Sequence, residues 1–259
     1  MMRSGNPALR SDTFQVPGAQ PIRVGNRAQS FGGSSDVMTL QGAVNKSAIL
    51  LALVVGTAFF TWTQHFSGNS GFVQMATIGG ALGGFVLALI TIFKKTWAPV
   101  TAPLYALVEG LFVGGFSAVM EQMYPGIVIQ GVFATMGVFV ALLMAYKSKL
   151  IQATENFKLG VAAATGGIFL VYLATLILGF FNIQIPMIHE GGPIGIGFSL
   201  VVVVVAALNL VMDFDFIEDG AEKGAPKYME WFAAFGLLVT LIWLYIEMLR
   251  LLAKTQQRD

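Results

Sequence analysis

The chain has 259 residues, of which 56% are hydrophobic and only 11% are charged, whereas soluble domains carry about 25% charged residues. A water-soluble globule of this length could not bury so much apolar surface, so the composition excludes one. The net charge of +1 provides no basic field for a nucleic acid. The sequence contains no cysteine, which excludes a disulfide framework and a thiolate metal site.

Residues 1–46 form the first segment and are rich in Gly, Ser, Pro, Asn and Gln. Such a composition cannot repay the entropy lost on ordering, so we predict a disordered tail. The segment is not expected to be a secretory signal, because a long polar stretch separates its first basic residue from the apolar run that begins near Ala48.

Seven apolar runs follow, each long enough to cross about 30 Å of hydrocarbon as a helix. They lack the strict alternation of membrane barrel strands, so the predicted fold is all-α, a polytopic bundle of seven transmembrane helices over residues 47–253 with a short tail at 254–259. The predicted spans are Ser47 to Thr63, Phe72 to Phe93, Ala98 to Met120, Ile127 to Tyr146, Leu159 to Phe181, Ile194 to Met212 and Trp231 to Leu252.

Basic residues indicate the orientation. Twelve of the fifteen lie in the first segment and in the second, fourth and sixth breaks between spans, which predicts a cytoplasmic N-terminus. The remaining three, Arg250, Lys254 and Arg258, lie at the C-terminus, which seven crossings would place outside. A re-entrant last span, giving six crossings, would remove the conflict, but we predict seven.

Small residues four apart allow helices to approach closely in lipid. Glycines with this spacing, or paired within a span, are therefore predicted to lie at helix contacts and to have no direct functional role. They are Gly79 with Gly83, Gly80 with Gly84, Gly110 with Gly114, and the pair Gly166 and Gly167.

Three carboxyl groups lie inside the predicted spans, namely Glu109, Asp213 and Glu247. An ionised group at membrane depth costs roughly 2.5–3.5 kcal/mol, so each is a functional candidate by default. Structural alternatives remain open for all three. Glu109 could be neutral and hydrogen-bonded, Asp213 could lie among headgroups, and Glu247 could pair with Arg250 one turn away.

Asp213 and Glu247 lie on consecutive antiparallel helices, which suggests a proton-sharing pair that senses pH. Their predicted depths differ, because Glu247 would lie roughly 24 Å from the inner end of its span. The mismatch would shrink if the sixth helix continued toward Glu218 and the seventh began near Gly236.

Enzymatic chemistry has little support in the sequence. His65 and His189 lie in breaks without a second histidine at ligand spacing, and no span contains a histidine to activate Ser117. No phosphate-binding loop motif is present. We therefore expect no catalytic residues, no cofactor and no enzymatic activity, which leaves the movement of ions or protons.

Two segments resemble paired signatures of the Bax inhibitor-1 family, also called transmembrane Bax inhibitor motif proteins. They are Val-Met-Asp-Phe-Asp at 211–215 and Leu-Tyr-Ile-Glu-Met-Leu-Arg-Leu-Leu at 244–252, and Glu-Gly-Leu-Phe-Val-Gly at 109–114 is similar to the family's third span. The first segment and Glu109 suggest a divergent prokaryotic branch, in the cytoplasmic (inner) membrane.

The resemblance implies a pH-sensitive calcium leak channel. Asp213 and Glu247 would be the proton-sensitive acidic pair and would bind Ca²⁺ transiently, and Lys94 would be the latch that holds the closed state. The implied partners are the lipid bilayer, calcium ions and protons, with Ca²⁺ as the permeant ion and no nucleic acid.

Two other functions remain open. A proton-coupled solute transporter would use Glu109 as its proton carrier. A non-conducting membrane scaffold would bind protein partners through the first segment and the acidic segment at 213–222.

Overall fold

The computed structural model describes residues 36–181 and 192–257, and in these ranges the chain forms seven long helices. All seven are long and apolar enough to cross a membrane, which confirms the predicted all-α architecture. The helices are α1 Leu40–Phe66, α2 Ser70–Phe93, α3 Ala98–Met123, α4 Ile127–Lys147, α5 Glu155–Phe180, α6 Pro193–Glu222 and α7 Met229–Gln256, with a short 3-10 helix at Lys95–Trp97.

Helix ends differ from the predicted spans, because a helix continues past its apolar run wherever polar groups satisfy its end. α1 begins at Leu40, seven residues before the predicted boundary, with the Thr39 side chain accepting a hydrogen bond from the Gly42 N–H. α6 runs ten residues past Met212, to Glu222. The predicted disordered tail otherwise falls on residues 1–35, which lie outside the described residues, as do 258–259.

α7 is the central helix and packs against α1, α3, α4 and α6, whereas the backbone of α5 approaches mainly α6. At one end of the bundle α1, α3, α5 and α7 begin, and α2, α4 and α6 terminate. We call it the lysine-rich end, since Lys46, Lys94, Lys147 and Lys158 lie there. Seven full-length helices place the end of α7 at the opposite end, in agreement with seven crossings rather than six.

Glycine contacts hold α1, α2 and α3 together. A Cβ on Gly110 would approach Val54 Cα of α1 to 3.0 Å, and one on Gly80 would approach the Phe112 backbone nitrogen of α3 to 2.7 Å. The predicted glycine contacts are therefore present at these positions. They are absent at Gly79, Gly166 and Gly167, where no other described heavy atom lies within 4 Å of the added carbon.

Gly114 is the most sensitive of these positions. An added Cβ would meet the Ala58 carbonyl oxygen and would lie 2.7 Å from Ala58 Cα, so the α1 backbone itself would have to move. Gly114→Ala is therefore expected to destabilise the bundle by about 1–3 kcal/mol. Thermal unfolding in detergent tests this, with Gly79→Ala as the control that should lose no stability. Equal melting temperatures for both variants would contradict the close α1–α3 contact.

Candidate ion site between the last helices

Glu247 is a buried carboxylate on α7, with a side chain only 2% exposed. Its Oε1 accepts hydrogen bonds from the Tyr172 hydroxyl of α5 at 3.0 Å and from Arg250 Nη1 at 2.9 Å. The Arg250 guanidinium also lies over the Tyr172 ring, 5.5 Å from its centroid. Glu247 Oε2 is buried and has no hydrogen-bond partner among the described residues. The pairing with Arg250 that the sequence left open is therefore formed, but it occupies only one carboxylate oxygen.

Asp213 lies on α6 and faces α7. Its Oδ1 is 3.7 Å from the point that a Cβ on Gly236 would occupy, and the Thr240 hydroxyl is its polar neighbour on α7. Asp213 Oδ2 is buried and has no hydrogen-bond partner in the described ranges. Asp213 is therefore placed inside the α6–α7 interface rather than among headgroups.

The two acids do not share a hydrogen bond in this structure. Oε1 of Glu247 is bonded to Tyr172 and Arg250, and the free oxygen of each acid lacks any partner in the described chain. The seven residues from Thr240 to Glu247 correspond to about 10 Å along α7. Two conditions were predicted to bring the acids to the same depth, and only one of them is met. α6 does continue past Glu218, but α7 begins at Met229 rather than near Gly236.

Thr240 and Glu247 nevertheless project from the same side of α7, because seven residues make nearly two full turns. Between them lies Leu244, which is fully buried in the core that also contains Leu210 of α6. Trp243 packs against the same core. The interface therefore places one carboxyl at each of two levels, with an apolar layer between them.

Lys94 forms no ion pair with Asp213 or Glu247 in this structure. It is the exposed C-cap residue of α2, and none of the ion pairs found among the described residues involves it. Sequence resemblance identified a basic residue at the end of the second span, but the position of that cation relative to α6 depends on helix rotation. The basic partner of Glu247 in this structure is Arg250.

Glu109 lies in a different interface, between α3 and α2. Its Oε2 occupies the space above Gly84, where any Cβ would overlap with it. Glu109 makes no hydrogen bond or ion pair to the described residues, and Tyr105 on the same helix is close enough to interact with it electrostatically. The structure thus separates Glu109 from Asp213 and Glu247.

Glu230 is a buried acid that the sequence pattern did not reveal. It lies in the first turn of α7, is completely buried, and accepts hydrogen bonds from the Thr39 N–H at 2.9 Å and the Thr39 hydroxyl at 3.0 Å. Lys227 Nζ lies 2.9 Å from Oε1, and Lys46 of α1 contacts Oε2. Gly42 leaves the space for this carboxylate at the start of α1.

Backbone contacts extend this connection between α1 and α7. The Met38 N–H donates to the Ala225 carbonyl at 2.6 Å, and the Lys227 N–H donates to the Asp36 carbonyl at 3.0 Å. Residues 36–39 and the α6–α7 loop therefore form a clamp, centred on Glu230, that closes the lysine-rich end of the bundle.

The basic residues at the opposite end are also engaged by the fold. Lys254 Nζ donates to the Ser199 hydroxyl at 2.7 Å and to the Gly195 carbonyl at 3.1 Å, both on α6. Arg250 is paired with Glu247. Two of the three cations that conflicted with the orientation rule are thus held by internal partners.

These features define a class: a helical membrane protein of seven spans with two buried acids, Asp213 and Glu247, on its last two helices. The family model described as Bax inhibitor 1 like matches residues 6–257, nearly the whole chain. The chain belongs to the Bax inhibitor 1 like family, as the sequence resemblance predicted. No curated protein and no solved structure matches it.

Proposed function

We propose that this chain is a calcium leak channel whose flux depends on pH, with Asp213 and Glu247 as two separate positions on the ion path. The observation that carries the proposal is that each acid keeps one buried carboxylate oxygen without a partner among the described residues. Leaving a buried charged group unsatisfied is costly, so a transient partner such as a water molecule, a proton or a cation would compensate it. Carboxylate oxygens are ligands suited to Ca²⁺.

The described conformation has the features of a closed state under this proposal. Leu244 and its core neighbours fill the layer between the two acids, and apolar constrictions block ions by excluding water. Arg250 occupies Glu247 on the far side of that layer. Opening would separate α6 from α7 at Leu244 and release Glu247 from Arg250, so that Ca²⁺ could pass from one carboxylate to the next.

Proton dependence would arise at each acid separately, because they share no hydrogen bond. A protonated carboxyl has no net charge and is a poor Ca²⁺ ligand, so flux should fall in acid and rise as the pH increases. Asp213 is the better candidate for the sensor, because it has no cationic partner among the described residues, whereas Glu247 is already compensated by Arg250.

Calcium flux into proteoliposomes, measured from acidic to alkaline pH, tests the proposal. Asp213→Asn should lower the flux roughly tenfold at alkaline pH and flatten its pH dependence, because it fixes that position as uncharged. Glu247→Gln should also reduce the flux. Asp219→Asn removes an exposed acid of α6 that is paired with Lys223, and it should leave the flux unchanged.

Two outcomes would contradict the assignment. An unaltered pH dependence in both Asp213→Asn and Glu247→Gln would remove these acids as sensors. No calcium flux at any pH in the wild type would exclude the channel and favour the scaffold alternative. That alternative has to account for the internal contacts of the acidic segment, in which Asp215 pairs with Lys158 at 2.8 Å and Glu218 accepts from the Tyr146 hydroxyl.

The transporter alternative depends on Glu109, which lies against Gly84 without a hydrogen bond in the described chain. A carboxyl in that environment could exchange a proton during a transport cycle. In the same vesicles, saturable uptake of a solute that is abolished by Glu109→Gln, but not by Asp213→Asn, would favour this function over the leak channel.

A further inference from the structure

A large cavity lies between α1, α4, α6 and α7 near the lysine-rich end, with a volume of about 980 Å³. α1 and α4 both pack on α7 but make no extensive contact with each other, so the cavity opens sideways between them. Its walls are mainly apolar, as shown by Val44 and Leu51 of α1, Phe139 and Leu143 of α4, and Leu241 of α7.

The cavity is as deep as one membrane leaflet. Along α4 its lining runs from Lys147, at the helix end, to Met136, which is about 16 Å of helix. Half of a 30 Å hydrocarbon core is about 15 Å. A cavity that begins at the headgroup level and ends near the bilayer centre has the length required for an acyl chain.

The charges at the mouth favour an anion. Lys147 and Lys149 both line the mouth and are exposed, and neither forms an ion pair with any described residue. Two acids also lie at the mouth, but they have their own partners. Asp215 is paired with Lys158, whereas Glu218 accepts a hydrogen bond from the uncharged Tyr146 hydroxyl and keeps its negative charge. Two unpaired lysines against this one carboxylate leave the mouth with a net positive charge.

We propose that this cavity binds an anionic phospholipid, with an acyl chain between α1 and α4 and the phosphate at Lys147 and Lys149. An open apolar cavity of this size in a membrane has lipid as its natural occupant, and the two free lysines select a negatively charged headgroup. The predicted orientation places these lysines on the cytoplasmic side, where anionic lipids concentrate near basic residues.

One residue connects the lipid site to the proposed ion path. Phe214 lines the cavity and directly follows Asp213 on α6. A bound acyl chain would therefore contact α6 and α7 together, next to the position of Asp213 along α6. The lipid site does not depend on the proposed leak function, since it follows from the cavity and its charges.

The proposal is tested by reconstituting the full chain in nanodiscs that contain a small fraction of labelled phosphatidylglycerol in phosphatidylcholine, and measuring the label retained by the protein. The wild type should retain phosphatidylglycerol over labelled phosphatidylcholine. The double variant Lys147→Gln/Lys149→Gln should bind it roughly 10- to 30-fold more weakly, because each lysine near the surface contributes about a factor of five.

Two matched controls separate this site from general surface charge. Lys94→Gln/Lys95→Gln removes two exposed cations from the same end of the bundle that form no ion pair with a described residue and do not line the cavity, and it should leave retention unchanged. Ala48→Trp should fill part of the cavity and expel the lipid, whereas Ile49→Trp, at an exposed position of α1 at the same depth that does not line the cavity, should not.

Equal retention of the two lipids by the wild type would overturn the proposal. So would equal losses in the two lysine double variants, which would indicate only a diffuse positive surface. Cross-linking of a second copy of the chain through position 48, with no lipid retained, would also overturn it, by assigning the cavity to a protein interface. Inorganic phosphate should fail to displace the label, because the acyl chain supplies most of the contact area.

Discussion

Replacing Glu230 by glutamine is expected to lower the stability of the folded bundle by about 3–5 kcal/mol, because it breaks a buried ion pair and leaves its cations uncompensated. Glu230 is completely buried and compensates both Lys46 and Lys227, while also accepting two hydrogen bonds from Thr39. The amide keeps the shape of the side chain but removes the charge, so the two lysines would face each other at a closed helix end.

Thermal unfolding of the purified protein in detergent micelles would measure this loss. Glu222→Gln is the matched control, because Glu222 is an exposed acid at the end of α6 and has no ion pair among the described residues. Lys46→Met combined with Glu230→Gln should recover part of the stability, since it removes one uncompensated charge. A melting temperature of Glu230→Gln equal to that of Glu222→Gln would contradict the role of the clamp.

Glu230 also shows what a sequence pattern cannot reveal. It directly precedes the apolar run that starts at Trp231, where an acid normally lies in water beside the headgroups. Its burial depends on Thr39, Gly42 and Lys46, which lie nearly two hundred residues earlier. All three belong to the first segment, which was predicted to be disordered. The only nearby residue that indicated a partner for Glu230 was Lys227, three residues before it. Pairs with this spacing are common on exposed helix ends, so the pair did not indicate burial.

The fold itself was predictable because the membrane restricts the choices. Long apolar runs in lipid must form helices, so seven runs predicted seven helices without knowledge of any contact. The glycines could be identified as contact residues only by type. Gly114 meets α1 while Gly79 meets no described neighbour, and this difference depends on the rotation of each helix about its axis.

The acids show the same limit at the site. Their presence in the spans could be predicted from the high cost of intramembrane charge, and two of the three are buried with an oxygen lacking a partner in the described ranges. Their pairing could not be predicted. A shift of seven residues along α7 moves a carboxyl by about 10 Å without changing the face on which it lies, so antiparallel topology alone allows either contact or separation.

Replacing Arg250 by glutamine is the second change with a large expected effect, and a double-mutant cycle identifies its cause. The substitution leaves the buried Glu247 carboxylate without its cation, a loss of about 3–5 kcal/mol. Glu247→Gln alone should cost less, because Arg250 is half exposed and can be solvated by water. In the double variant the stranded charge no longer exists, so much of the lost stability should return.

Melting temperatures of the wild type, both single variants and the double variant give the coupling energy between the two side chains. The cycle should be strongly non-additive, with Arg250→Gln less stable than the double variant. Lys254 stays unchanged in all four proteins, because it lies close enough to Glu247 to interact with it electrostatically. Additive losses of stability would mean that Arg250 does not stabilise the Glu247 carboxylate. The proposed closed state would then need another partner for Glu247.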